Sequence, residues 1–333
     1  MISVEGQIFK IKTNDEFNAL ALQIFNFQYA NNLIYKQWCD LLKTNVLEVD
    51  SIYKIPFLPI EFFKTESIIS SPITNQTITF TSSSTTSQTP ASHFVNNINL
   101  YNDSFLRAFN LFYGNPNQYC FLALLPNYLQ RKGSSLVYMC NELIKQSTHP
   151  FSGFFLDDID DLIIKINQLK NSSQKVILIG VSYALMDLCE KITLTENFTV
   201  IETGGMKGTR KELLKTELHN YLKNGFKINS IHSEYGMTEL LSQAYSLGDE
   251  KFLSPPWLKF LIREVDNPLQ LVNTNKTGGI NVIDLANIYS CSFIATKDLG
   301  NIGENNKLQL MGRFDNSDVR GCNLLWSNDV NSF

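Results

Sequence analysis

The sequence predicts an α/β fold: a mostly parallel sheet flanked by helices, with a C-terminal β-rich subdomain. Three observations lead there. From Tyr119 onward, apolar strand-like runs alternate with segments of helical period, the grammar of parallel strands joined by helical crossovers. Beyond Trp257 the helical segments stop, and short strand-like runs follow one another. The chain has 333 residues, 44% of them hydrophobic, enough to fill a core on that scale.

Taken in order, Thr13-Asn14-Asp15-Glu16 has the form of a capping box, in which Thr13 and Glu16 satisfy free N–H groups at a helix start. Phe17, Leu20, Ile24, Phe27, Ile34, Trp38 and Leu41 then recur at helical spacing, as one long helix or two shorter ones. Pro56 and Pro59 break the pattern, because proline lacks an amide donor and fixes φ. A polar stretch from Ser70 to Ser92 precedes a further helix around Ser104 to Tyr113. Strands are expected at 119–125, 175–180, 198–202 and 227–232. Helices between them are expected at 134–145, 157–170, 183–191 and 209–223, the last ended by Gly225 as a left-handed cap. The later strands fall at 258–265, 279–283, 292–296 and 307–311. The expected division is an N-terminal helical region (1–118), an α/β core (119–256) and a β-rich subdomain (257–333).

Charge and cysteine usage narrow the function classes. Lys and Arg total 28 against 32 Asp and Glu, a net charge of −4, with no run of five like charges. A nucleic-acid footprint and a polybasic membrane patch are therefore unsupported. The N-terminus lacks a cleavable apolar segment, and no apolar stretch approaches the roughly 20 residues of a membrane span, so a cytoplasmic protein is expected. The 6 cysteines are far apart, with no CxxC, which argues against a zinc site or a disulfide framework.

Open α/β sheets bind ligands at the carboxyl ends of their strands. Two segments fall there: ETGGMKG (202–208), a glycine turn that lets backbone approach a ligand, and SEYGMTE (233–239), which clusters an aromatic ring, a hydroxyl and two carboxylates. The hydroxyl-rich TSSSTTSQTP (81–90) is either a solvated linker or a loop whose N–H and O–H groups bind phosphate. TKDLG (296–300) and GRFDNSDVRGCN (312–323) complete the series; singly they read as turns between strands.

In this order, together with IPFLPIEFFK (55–64) and LALLPNYLQRKGSSLVYM (122–139), the segments resemble the motif series of the adenylate-forming ligases. The resemblance is closest to the acyl-protein synthetase (LuxE-type) family, which is related to the phenylacetate–CoA ligases, and it spans residues 55–323. It implies the large N-terminal domain of those enzymes without their lid domain. ATP and Mg²⁺ are the implied cofactors, and a fatty or other carboxylic acid the implied substrate. Tyr235 and Gly236 would meet the adenine, with Gly204 and Gly205 lining its pocket. Thr238 would bond the α-phosphate, and Glu239 would hold Mg²⁺. Asp298 and Arg313 would take the ribose, while Ser82, Ser83, Ser84, Thr85 and Thr86 close over the outer phosphates.

The implied reaction forms an acyl-adenylate, moves the acyl group to Cys322 and then passes it to a partner reductase or carrier protein. Cys322 is alternatively a small buried thiol on a strand edge. Ser84 and Ser87 stand where related enzymes carry glycine, and the sequence shows no lid-domain lysine. Two further activities therefore stay open: an ATP-independent acyltransferase working through Cys322, and a catalytically silent nucleotide- or acyl-binding subunit.

Overall fold

The N-terminal capping box forms as expected: the Thr13 hydroxyl accepts from the Glu16 amide, and the Glu16 carboxylate accepts from the Thr13 amide. It opens α1 (Asn14–Asn31), and Asn32 then interrupts the run and caps α2 (Leu33–Leu41) with its side chain. The computed structural model describes residues 4–83, 89–126, 131, 133–204, 213–272 and 275–314.

The proline segment carries β1 (Leu58–Pro59) and leads into α3 (Phe62–Thr65), and both precede a hairpin of β2 (Ile78–Thr81) and β3 (Ser92–Val95). The hydroxyl-rich segment is the connection of that hairpin. Asn97 caps α4 (Ile98–Tyr113), which begins six residues before the expected helix. The central sheet contains β4 (Tyr119–Leu124), β5 (Gly153–Phe154), β6 (Lys175–Val181), β7 (Phe198–Thr203), β8 (His232–Tyr235) and β9 (Ala244–Ser246). Its order is β5-β4-β6-β7-β8-β9, all parallel except β9. The helices α5 (Ser135–Ser147), α6 (Ile159–Leu169), α7 (Ser182–Cys189) and α8 (Lys215–Phe226) connect its strands. β4 is buried along its whole length, and β6 at every residue after Lys175, as strands covered on both faces must be.

Two boundaries differ from expectation for one local reason. Gly225 lies inside α8, and the left-handed residue is Lys227, at φ 60°. A Cβ on Gly225 would lie 2.7 Å from the Cys189 sulfur, so glycine here permits α8 to approach α7 rather than to turn. The chain leaving Lys227 consequently reaches the sheet only at His232, and the strand expected at 227–232 begins where it was expected to end.

The second sheet is built from β10 (Lys251–Phe252), β11 (Leu258–Arg263), β12 (Gly278–Asp284), β13 (Phe293–Ile302) and β14 (Leu308–Arg313), in the order β10-β14-β13-β12-β11. These strands are antiparallel, and β1 joins as a parallel partner of β13 at Leu58↔Ile294. Arg263 ties the middle of the sheet together: its buried guanidinium donates to Ile280 O at 2.7 Å, Asn281 Oδ1 at 2.9 Å and Thr296 O at 2.5 Å. The two sheets meet where the carboxyl end of β8 faces β11 and β13.

Candidate functional site

Tyr235 ends β8 and spans the junction of the sheets. Its ring meets Phe252 and Phe260 edge-on, with centroids 5.9 and 5.7 Å away. Its hydroxyl donates to Asp298 Oδ2 at 2.8 Å. The other oxygen of Asp298 pairs with Arg313 Nε at 3.0 Å, because the register of β13 and β14 sets these two residues side by side. Tyr235, Asp298 and Arg313, drawn from three motifs, therefore form one cluster. The Asp298 amide donates to Thr296 Oγ1, and Thr296 O accepts from Arg263, so the carboxylate stands on the braced part of the sheet.

The turn after Tyr235 carries Gly236, Thr238 and Glu239. A Cβ on Gly236 would come within 2.4 Å of Glu234 Oε1, which explains glycine at an exposed turn position. Glu239 is 7% exposed. Burial pushes its carboxyl up to about 7, against the nearby charges of Arg313 and Lys64. The Asp284 carboxylate holds the segment that follows, accepting from the Leu241 amide at 2.8 Å, the Ser242 amide at 3.0 Å and the Ser242 hydroxyl. Ser104 continues this network between Ser242 and the Trp257 indole N–H.

Across the strand ends, Gly204 turns at φ +70°, a conformation that favours glycine. The Ser182 hydroxyl lies 3.1 Å from Gly204 O and 3.3 Å from Glu202 Oε2. Glu202 is 1% exposed and pairs with Lys215, with His219 Nε2 at 3.4 Å. Burial acts to raise the Glu202 carboxyl, but the Lys215 charge and its hydrogen bonds outweigh it and hold the group at about 2. Ser233 Oγ lies 3.1 Å from His219 Nε2, and Glu250 lies on the far side of that ring. This has the order of a nucleophile triad, but Ser233 is 0% exposed and so is closed to a substrate carbonyl. His232 packs against Tyr113, whose hydroxyl is 3.2 Å from His232 Nδ1. Burial holds His232 down at about 4.

Glu234 gives a pH test of this region. It accepts from the Thr203 hydroxyl, and burial pushes its carboxyl up to about 7. An exposed glutamate titrates near 4.3, so the folded state binds this proton more tightly than the unfolded chain. The stability it contributes is full below about pH 4.3 and is lost as pH rises through about 7. From pH 4.5 to 8 the unfolding free energy of the wild type should fall relative to Glu234→Gln by about 3 kcal/mol. Parallel urea titrations of the two proteins at each pH measure this, and equal pH slopes would contradict it.

Of the hydroxyl-rich segment, Ser82 is anchored: its hydroxyl accepts from the Ala91 amide at 2.8 Å. Ser83 is exposed. Ser84, Thr85, Thr86, Ser87, Gly205 and Cys322 lie outside the described residues. Among the described residues, no three His, Cys, Asp or Glu side chains come together as a metal-ligand group. The sequence reading missed Arg263, Asp284 and His93. All three are isolated polar residues in strands, and only their distant partners reveal what they hold.

The family model of acyl-protein synthetase, LuxE, matches residues 9–331. The chain belongs to the LuxE acyl-protein synthetase family. As a member, it is an enzyme. No curated protein matches the sequence. Among solved structures, this chain is similar to an open conformation of 2-hydroxyisobutyryl-CoA ligase in complex with 2-HIB-AMP and CoA. That match has a TM-score of 0.68 at 10% identity and covers 92% of this chain and 72% of the ligase. It is also similar to ATP-bound MatB from Rhodopseudomonas palustris, with a TM-score of 0.52 at 17% identity over 71% of this chain and 47% of MatB. The chain thus shares the fold of the matching part of these ligases, and it spans less than half of MatB. No helix among its described residues is long and apolar enough to cross a membrane.

Proposed function

We propose that this acyl-protein synthetase uses ATP to activate a carboxylic acid, a fatty acid in the first instance, as its acyl-adenylate. The observation that carries the reading is the meeting of the Tyr235–Glu239 turn with the Asp298–Arg313 pair at the junction of the two sheets. Gly204 and Gly205 line the adenine side with Tyr235 and Gly236. Asp298 and Arg313 take the ribose hydroxyls, exchanging part of their present contact for them. The Thr238 hydroxyl donates to the α-phosphate, and residues 82–86 donate to the outer phosphates. A substrate carboxylate oxygen attacks the α-phosphorus, the bond to the β-phosphate oxygen breaks, and pyrophosphate leaves. The Cys322 thiolate then attacks the acyl carbonyl and AMP leaves, giving a thioester that passes to a reductase or carrier protein in the cytoplasm.

Glu239 fits Mg²⁺: one nearly buried carboxylate suits an ion that takes its remaining ligands from phosphate and water. When bound, the ion neutralises phosphate charge. The ionised form of Glu239 that it requires is favoured by the neighbouring Arg313 and Lys64.

ATP–pyrophosphate exchange with a panel of carboxylic acids tests the reading, and exchange that depends on one acid class is the expected result. Asp298→Ala should weaken nucleotide binding by about 1.5–3 kcal/mol, the scale of hydrogen bonds to a charged group. Exchange with no acid overturns adenylation, and unchanged calorimetric affinity in Asp298→Ala removes the ribose assignment.

A further inference from the structure

We propose that His93 is a positioning residue that braces the backbone at Glu239 and ties it to the hydroxyl-rich hairpin. The inference rests on the adenylation reading of the Thr238–Glu239 turn and adds to it a residue from outside the motif series.

His93 lies in β3, three residues after Pro90, and is 1% exposed. Its Nδ1 is 2.8 Å from Thr238 O, and its Nε2 is 2.9 Å from Asn287 Oδ1. The Asn287 side-chain nitrogen donates to Glu239 O and Cys291 O, both at 2.8 Å. These two bonds set the amide orientation, so Asn287 presents its oxygen to the ring. Thr238 O belongs to the peptide plane that enters Glu239, and Glu239 O to the plane that leaves it. A neutral ring donates once, so His93 holds either the first plane directly or the second through Asn287. Asn287 bonds the leaving plane in either tautomer, and the one further bond from His93 narrows the direction of the Glu239 Cα–Cβ bond. The His93 ring also meets Phe63 of α3 edge-on, with centroids 5.8 Å apart. One imidazole thus joins the proline segment, the hairpin and the Thr238–Glu239 turn.

The ring faces two acceptors, and burial drives its proton affinity down to about 4, so at neutral pH it carries one N–H. The Nδ1–H tautomer holds the entering plane; the Nε2–H tautomer holds the leaving plane through Asn287. Both act on Glu239. A displacement of order 1 Å at a group that positions reacting atoms is costly to rate, which gives this hold a catalytic readout.

Three variants separate positioning from bulk packing. His93→Phe keeps a ring without a donor, His93→Asn keeps a donor near the Nδ1 position, and His93→Gln places one near Nε2. Pyrophosphate-exchange kcat and KM would be measured for each, with melting temperature and amide hydrogen exchange over residues 236–242. His93→Phe should lower kcat about tenfold, the worth of one hydrogen bond, with little change in KM for the acid. His93→Asn or His93→Gln should recover most of that loss, and protection of residues 239–242 should fall and recover in parallel. A Phe variant with wild-type kcat and protection overturns the proposal. So do losses in all three variants that simply follow melting temperature. If the wild type shows no exchange with any acid, the adenylation reading fails, and the protection measurements alone still decide whether His93 holds the turn.

Discussion

Replacing Lys215 with methionine is expected to cost about 3–5 kcal/mol of folding stability, the usual loss when one partner of a buried ion pair is removed. Glu202 is 1% exposed, and its carboxyl is held at about 2 chiefly because the Lys215 charge opposes the effect of burial. Without that charge, burial dominates and the carboxyl takes up a proton at higher pH. In the wild type the folded-state value lies below that of the unfolded chain. Glu202 therefore contributes stability that is present above about pH 4.3 and is lost as pH falls through about 2. The Lys215→Met variant should lose this acid-side transition, and Lys215→Met with Glu202→Gln should recover most of the stability because no charge remains buried. Urea unfolding at pH 7 is the measurement. A loss below about 1 kcal/mol would place the pair among solvent-screened contacts. Ser182 links Glu202 to Gly204 O, so the single variant should also weaken nucleotide binding while the double variant restores it.

Cys322→Ser is expected to abolish hydroxylamine-sensitive labelling by a radioactive acyl donor and to leave pyrophosphate exchange largely intact. A thioester needs a thiolate, and on the proposed reading the charge of Arg320, two residues before Cys322 in the sequence, would favour one. The other five cysteines are poor competitors. All are buried, and burial pushes Cys39 up to about 12, Cys120 and Cys189 to about 11, and Cys140 and Cys291 upward as well. Labelling that persists in the variant, or that appears on another cysteine, would defeat the covalent transfer step. Resistance of Cys322 to alkylation in the native protein would favour a packed thiol instead.

The parts of this protein that were legible in its sequence are those written in neighbouring residues. The Thr13–Glu16 box needs only a spacing of three, and the β4–α5 and β6–α7 alternation needs only local period. Gly225 misled because glycine near a helix end has two uses, a left-handed turn and a close approach. Only the position of Cys189 on α7 distinguishes them. In the candidate site, the Tyr235–Glu239 turn and the glycine turn at 204 were visible as strand-end segments. Asp298 and Arg313 were visible only through the resemblance of the motif series, since their pairing comes from the register of β13 and β14. His93, Asp284 and Arg263 were not legible. A lone histidine, aspartate or arginine in an apolar strand carries no local sign of the carbonyls and amides that it will satisfy from far along the chain.

The seam between β1 and β13 also bears on how this polypeptide must be born. Leu58 pairs with Ile294, and the Gln28 side chain, buried in α1, donates to Asn287 O 259 residues further along. A ribosome adding about 5–20 residues per second needs roughly 10–50 s to travel between those partners. Through that interval the N-terminal helices have been made, but the strand that receives them has not. Gln28 and Asn32 stay hydrated, and the apolar face around Phe25 and Tyr35 stays uncovered, until their partners are made. The nascent chain therefore offers chaperones a long-lived apolar surface at its N-terminal end, withdrawn only when residues 287–295 emerge to cover it.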